Sequence, residues 1–156
     1  MDRFNPTSTS SPRKTKIKWP LFEVTLPETQ NMDHECNTVT VEMHGLNPEL
    51  VDLLWDAFPY RSLQSHTLAS EDHLYHLVPS TRILNIKISN RANEPNGTVF
   101  LSGFQHLVIK HDPLTEYLPA VPCGNAIPDD IQKLQRLGKE VWENQSGTER
   151  LVEVLV

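Results

Sequence analysis

Proline is the residue that most restricts how this chain can fold. Twelve prolines are spread along the 156 residues, against six glycines. A proline inside a helix removes a backbone donor and clashes with the preceding turn, so the sequence has little room for long helices. A coiled coil or a helical bundle is therefore disfavoured. With 38% hydrophobic residues over this length, the chain has the composition and size of one compact globular domain.

Charge is distributed unevenly along the chain. Residues 1–19 contain five basic side chains and one acidic side chain and are rich in Ser, Thr and Pro, which is typical of a disordered, solubilising leader. Residues 20–156 contain 9 basic and 19 acidic side chains, a net charge of −10. We therefore expect a leader at 1–19 and a folded domain at 20–156. An acidic domain repels the phosphate backbone, which argues against nucleic acid as its partner.

Membrane and secretory segments are not indicated. The longest apolar runs, such as residues 107–109, have only a few residues, whereas a membrane helix needs about 20. The N-terminus lacks the apolar segment of a secretory signal, so we expect a cytoplasmic protein that does not contact membranes. Cys36 and Cys123 stand outside any C-x-x-C pair, and we expect both to be free thiols.

Short alternating segments bounded by turn residues predict most of the strands. The predicted strands are 21–26, 38–43, 63–68, 73–78, 83–89, 98–101, 105–111 and 150–156. The segment Asn-Pro-Glu at 47–49 predicts a capped helix start, and that helix ends before Pro59. A second helix is predicted from Pro128 to about residue 146, and Gly138 on its apolar face allows close approach to a sheet. Short strands with two helices predict a closed β-barrel.

The order of these elements resembles the cyclophilin-like fold. The match rests on Leu-Trp-Asp-Ala-Phe-Pro-Tyr-Arg-Ser at 54–62, the paired strands that follow, Leu-x-x-Leu-Gly at 134–138 and the final strand. It covers residues 20–156. The resemblance implies a mainly β fold, a cyclophilin-like closed barrel of about eight strands with two capping helices. It extends distantly to the imidazole-opine synthases of the cucumopine and mikimopine class, which join histidine to 2-oxoglutarate by a Pictet–Spengler condensation.

Prolyl isomerase activity is disfavoured by what this resemblance lacks. Those enzymes carry Phe-His-Arg after the first helix and then glutamine- and glycine-rich segments. Here only Arg61, in Tyr-Arg-Ser at 60–62, has a counterpart.

Polar side chains concentrate in residues 61–76. If residues 69–72 form a four-residue turn, His66 faces Tyr75 across a hairpin, and an imidazole beside a phenol suits acid/base chemistry. A cross-strand packing pair is the alternative. A proline- and acid-rich loop adds Glu116. We expect His66, Tyr75 and Glu116 to be catalytic.

Four further residues are expected to bind substrate: Arg61, Gln64, His73 and His106. The planar guanidinium of Arg61 suits a ligand carboxylate. A structural ion pair between Arg61 and an acidic side chain such as Asp56 is the alternative.

The histidines do not form a recognisable metal motif. The His-x-His pair with a following Glu that is familiar in cupins is absent, and His73 and His76 point to opposite faces of a strand. Nucleotide-binding, P-loop and hydrolase motifs are also absent. We therefore expect no metal and no cofactor.

The resemblance and the acid/base candidates together predict a cofactor-independent enzyme. Its partner would be a small carboxylate-bearing metabolite, and its reaction an acid/base cyclisation, a Pictet–Spengler-type condensation or an isomerisation. A non-catalytic small-molecule-binding module on the same fold is the alternative. Assembly into a homo-oligomer is compatible with both.

Overall fold

The computed structural model describes residues 11–19, 37–67, 73–78, 85–103, 105–148 and 152–156. Within these ranges the strands are β1 (Lys14–Lys18), β2 (Thr38–Met43), β3 (Arg61–His66), β4 (His73–Leu77), β5 (Ser89–Asn90), β6 (Thr98–Ser102), β7 (His106–Lys110), β8 (Pro119–Ala126) and β9 (Val152–Leu155), and the helices are α1 (Pro48–Ala57) and α2 (Ile131–Glu143). A 3₁₀ turn at Pro128–Asp130 precedes α2, and a π-helical turn at Asn144–Thr148 follows it. In this part of the chain no helix is long and apolar enough to cross a membrane.

Eight of the described strands close into an antiparallel barrel. Hydrogen-bonded neighbours follow the order β2-β1-β9-β3-β4-β7-β6-β8, and β8 pairs back onto β2, where Val41 faces Ala126. β5 is added outside this ring, against β8. Closure pairs both edges of the strands in the ring. The prediction of a mainly β closed barrel of about eight strands with two helices is confirmed.

The apolar core fills the barrel and is covered by both helices. Helix α1 contributes Leu50, Val51 and Leu54, and α2 contributes Leu134, Leu137 and Val141, at the three- and four-residue spacing of a helix face. A smaller apolar cluster lies on the opposite face of β6, β7 and β8, since neighbouring residues of a strand point to opposite faces. Its members are Phe100, Val108, Leu114 and Ala120, with Tyr75 packed against them.

Helix α1 begins where predicted, but its cap is different. Pro48 is its first residue, while the side chain of Asn47 makes no capping hydrogen bond. The buried Asn47 amide instead accepts from the backbone N–H of Lys87 (2.6 Å) and donates to the carbonyls of Lys87 (3.1 Å) and Pro122 (2.8 Å). The amide satisfies three backbone groups, which outweighs a single cap.

The N-terminal part of the barrel departs from the sequence prediction. Residues 14–18, inside the predicted leader, form β1, which pairs with β2 from Lys14 opposite Glu42 to Lys18 opposite Thr38. Ile17 and Trp19 are buried while Lys14 and Lys16 are exposed, so this segment is an amphipathic strand. The prediction of a leader here is wrong because the exposed lysines of this strand make its composition as basic and polar as that of a disordered segment. Residues 1–10, the predicted strand at 21–26 and Cys36 lie outside the described residues.

Two further strand predictions are corrected. β8 was not predicted, because Pro119, Pro122 and Gly124 interrupt its pattern. The predicted strand at 83–89 also differs from the structure. Of its described residues, 85–88 are not in a strand and Ser89 belongs to the short strand β5, Ser89–Asn90. The prediction rested on isoleucines at the alternate positions 86 and 88, which the structure shows to be exposed.

Candidate functional site

The β3–β4 hairpin separates the predicted catalytic pair. Ser65 faces Tyr75 and His66 faces Leu74, which differs by one residue from the predicted register. The prediction that His66 faces Tyr75 is wrong, because a shift of one residue turns the side chain to the other face of the sheet. His66 points into the barrel and Tyr75 packs on its outer surface. Residues 68–72, which include the predicted turn, lie outside the described residues.

His66 belongs to a chain of side-chain hydrogen bonds inside the barrel. Its Nε2 lies 3.0 Å from Nε2 of His111, and its Nδ1 lies 2.9 Å from the carbonyl oxygen of Thr67. Nδ1 of His111 lies 3.0 Å from Oδ2 of Asp112, whose Oδ1 accepts from the Gln135 amide at 2.8 Å. Both imidazoles are buried, at 6% and 1% exposure. We call His66, His111 and Asp112 the histidine–aspartate array.

One stripe of α2 and the turn after it lies over the array. Its residues 135, 138, 142 and 145 recur at the spacing of a helix face. At Gly138 a Cβ would lie 2.5 Å from Cδ2 of His111, so the prediction of a close approach at this glycine is confirmed. The Trp142 ring packs 5.1 Å from the His66 ring. The Gln145 amide accepts from the backbone N–H of His66 (2.8 Å) and donates to its carbonyl (2.9 Å).

The two imidazoles of the array are buried, but part of the α2 surface that packs on them is exposed to solvent. Trp142 is 38% exposed while packing on His66. Its indole ring therefore connects the buried imidazole to the surface. An aromatic ring of a ligand that stacked on this exposed indole would lie next to His66.

A further buried histidine, His73, points to the opposite face of the sheet from the array, because it precedes Leu74, the residue that faces His66. It stands at the start of β4 opposite Lys110 and is buried. Among the described residues its Nδ1 has no hydrogen-bond partner. Burial, followed by the influence of the neighbouring Arg91, His66 and His111, lowers the pKa of His73 to about 3. The ring is therefore neutral at neutral pH.

A second buried hydrogen bond within the barrel has a different character. The Tyr60 hydroxyl and Nε2 of His76 are hydrogen-bonded at 2.7 Å. Burial lowers the pKa of His76 to about 4 and raises the pKa of Tyr60 well above its ordinary value. Both groups are therefore neutral near neutral pH, and the pair serves to hold the core together.

Arg61 and Gln64 are engaged in structural contacts. The exposed guanidinium of Arg61 donates to Oε1 of Glu153 on β9 at 3.0 Å, so its ion pair is with β9 and not with Asp56 of α1. The buried Gln64 amide accepts from the Trp19 indole at 3.2 Å and donates to two backbone carbonyls. Substrate binding by these two residues stays a prediction.

The remaining predicted site residues lie on the outer surface of the barrel. The Tyr75 and His106 rings pack 5.0 Å apart. The half-exposed Glu116 carboxylate forms an ion pair with the buried guanidinium of Arg91. The structure places Tyr75 and His106 together, on the other face of the sheet from His66. The roles predicted for Tyr75, Glu116 and His106 stay predictions.

His111 and Asp112 are site residues that the sequence prediction did not select. The strand pattern contained a signal for His111, because residues 107, 109 and 111 share one parity and Leu107 and Ile109 point into the core. Among the described residues no three His, Cys, Asp or Glu side chains are arranged to hold a metal ion. The chemistry that this arrangement supports directly is proton transfer.

Comparison with known proteins adds one informative match. No protein-family model and no curated protein matches the sequence. Among solved structures, the chain is similar to McbB in complex with tryptophan, with 39% sequence identity and a TM-score of 0.74 over 92% of this chain. This barrel resembles part of McbB. The match covers 43% of the McbB chain, so the present chain spans less than half of that length.

Proposed function

We propose that this chain takes part in a ring-closing condensation of a tryptophan-like aromatic amino acid with a carbonyl compound, a reaction of the Pictet–Spengler type. The observation that carries the proposal is the 39% identity to a protein whose solved structure contains tryptophan. The resemblance of the sequence to the imidazole-opine synthases, which use this reaction class, supports it independently. The histidine–aspartate array supplies groups for the necessary proton transfers.

The proposed reaction returns the proton that it uses. The amine adds to the carbonyl carbon, and an acid protonates the resulting hydroxyl so that it leaves as water. The indole carbon then attacks the iminium carbon, forming the new carbon–carbon bond. Loss of the proton from that ring carbon restores aromaticity. A group that first donates one proton and then removes one satisfies both steps.

His66 is our proposed group for these transfers. Its ring is linked to His111 and Asp112 on one side and contacts the half-exposed Trp142 on the other. In the proposal the substrate ring stacks on Trp142, because stacked aromatic pairs are favourable beyond the area that they bury.

The direct test is binding and turnover with tryptophan. We expect tryptophan to raise the melting temperature of the 156-residue chain, because a ligand that binds the native state stabilises it. Incubation with tryptophan and a panel of aldehydes should yield, by mass spectrometry, a product equal to the two reactants minus one water. His66→Ala should abolish that product. His44→Ala, which makes the same exchange at a histidine outside the predicted site, should retain it.

The outcomes separate enzyme from binding module. Full activity of His66→Ala would remove this residue from the mechanism. Stabilisation by tryptophan without a product from any aldehyde would favour a non-catalytic binding module. Absence of both effects would contradict the proposal as a whole.

A further inference from the structure

The hydrogen bonds of the histidine–aspartate array can be counted. A carbonyl oxygen only accepts, so the contact with Thr67 requires a hydrogen on Nδ1 of His66. The contact between the two Nε2 atoms requires one hydrogen, on either ring. The contact between Nδ1 of His111 and Asp112 requires a third. Two neutral imidazoles and a carboxylate supply only two, so the array needs one additional proton.

We propose that Asp112 is a positioning residue that holds this additional proton on the His66–His111 pair, where the two rings share it through their Nε2 atoms. The Gln135 amide donates to the other oxygen of Asp112 at 2.8 Å, and a hydrogen bond to a carboxylate favours its charged form. The proton therefore belongs to the rings. Its catalytic meaning, as the proton lent to the leaving hydroxyl, rests on the proposed function, whereas the hydrogen count does not.

The surroundings of the array are consistent with one positive charge on the ring pair. From α2 and the following turn it is faced by uncharged groups, those of Gln135, Gly138, Trp142 and Gln145. From β4 it is faced by the apolar Leu74. His73, on the outer face of the sheet, is kept neutral by burial, and Arg91 has its own counter-ion in Glu116. Among the described residues Asp112 is the carboxylate seen in contact with the rings, and it balances their charge.

The inference is tested first on the unchanged protein. Nitrogen-detected NMR of the imidazole rings, with histidine resonances assigned by single substitutions, reports which ring nitrogens carry hydrogen near neutral pH. We expect three hydrogens on the four nitrogens of His66 and His111. Two hydrogens would overturn the proposal, whatever any variant does.

Asp112→Asn then tests the role of the carboxylate. Asparagine retains the shape and a hydrogen bond but removes the negative charge, so the ring pair should carry two hydrogens where the unchanged protein carries three. The control is Asp129→Asn, which removes the same charge from an exposed position and should leave the count at three. A count of three in Asp112→Asn would refute the role of Asp112.

Failure of this inference is distinguishable from failure of the proposed function. The NMR count needs no substrate and no turnover. Three hydrogens without any condensation product would support the loaded array and contradict the function. A product made by a protein with only two hydrogens would support the function and contradict the array. If both hold, Asp112→Asn should lose the additional ring hydrogen and product formation together.

Discussion

Replacing Gly138 by alanine tests how closely α2 is packed on the histidine–aspartate array. The added methyl group would lie 2.5 Å from Cδ2 of His111 and 2.6 Å from its Cγ and Nε2, whereas carbon atoms in contact are ordinarily about 3.5–4.0 Å apart. The ring cannot turn aside freely, because its two nitrogens contact His66 and Asp112. Either the helix moves outward or these contacts lengthen.

Two opposing effects determine the magnitude. Alanine is favoured over glycine inside a helix by about 1 kcal/mol. Overpacking a buried site costs about 1–3 kcal/mol, and weakening a hydrogen bond to a charged group costs about 1.5–3 kcal/mol. We therefore expect Gly138→Ala to lower the free energy of unfolding by about 2–4 kcal/mol. For a domain of this size that corresponds to a Tm decrease of about 5–15 °C.

A double-mutant cycle with His111→Ala identifies the cause. Without the imidazole the methyl group has space, so in the His111→Ala background Gly138→Ala should raise stability by up to about 1 kcal/mol. Denaturant unfolding of the four proteins should show this reversal of sign. Gly147→Ala is the control, because a Cβ there meets nothing within 4 Å. A neutral or stabilising Gly138→Ala in the unchanged protein would refute the close packing of α2 on His111.

Two further predictions concern the buried ionisable groups. The pKa of His73 is lowered to about 3 from its ordinary 6.5. As the pH falls below about 6.5 the unfolded chain binds a proton at this histidine and the folded chain does not, so the free energy of unfolding decreases, by about 2 kcal/mol at about pH 5. Denaturant unfolding of His73→Phe at the two pH values should show a loss smaller by about that amount, and an equal loss would contradict the prediction. Lys110→Met should lower stability by about 2–4 kcal/mol, because the buried ammonium donates to three backbone carbonyls of residues 91–94. Calorimetry that found no larger effect than for the exposed Lys139→Met would exclude this role.

The strands that followed from the sequence are those whose alternation is uninterrupted. β2, β3, β4, β6 and β7 were predicted to within a few residues for this reason. β8 escaped prediction because its prolines and glycine look like a loop. In the barrel these residues are tolerated, and at Gly124 a Cβ would lie 2.8 Å from the carbonyl oxygen of Glu42. The missing side chain thus lets β8 approach β2 where the barrel closes.

The sequence predicts which side chains share a face within one strand, but not which side chains of different strands meet in the site. Alternation along β3 correctly groups Gln64 with His66 on one face. The partner of His66, however, depends on the length of the connection to β4, and one residue of error exchanged the inner face for the outer. His111 meets His66 because two separate parts of the chain point into the same end of the barrel under α2. Local pattern contains no information about such a meeting.

The buried imidazoles inside this barrel differ in the groups to which they are hydrogen-bonded. His76 and the histidines of the array are comparably buried, but His76 is bound to a phenol and His111 to a carboxylate. A neutral phenol compensates no charge, so burial lowers the pKa of His76 to about 4 and keeps that imidazole neutral. A carboxylate compensates the charge of an imidazolium, which is the role proposed for Asp112 beside the ring pair. The same array lies against Trp142, where a ligand can approach, so partner chemistry and access select the same histidine, His66.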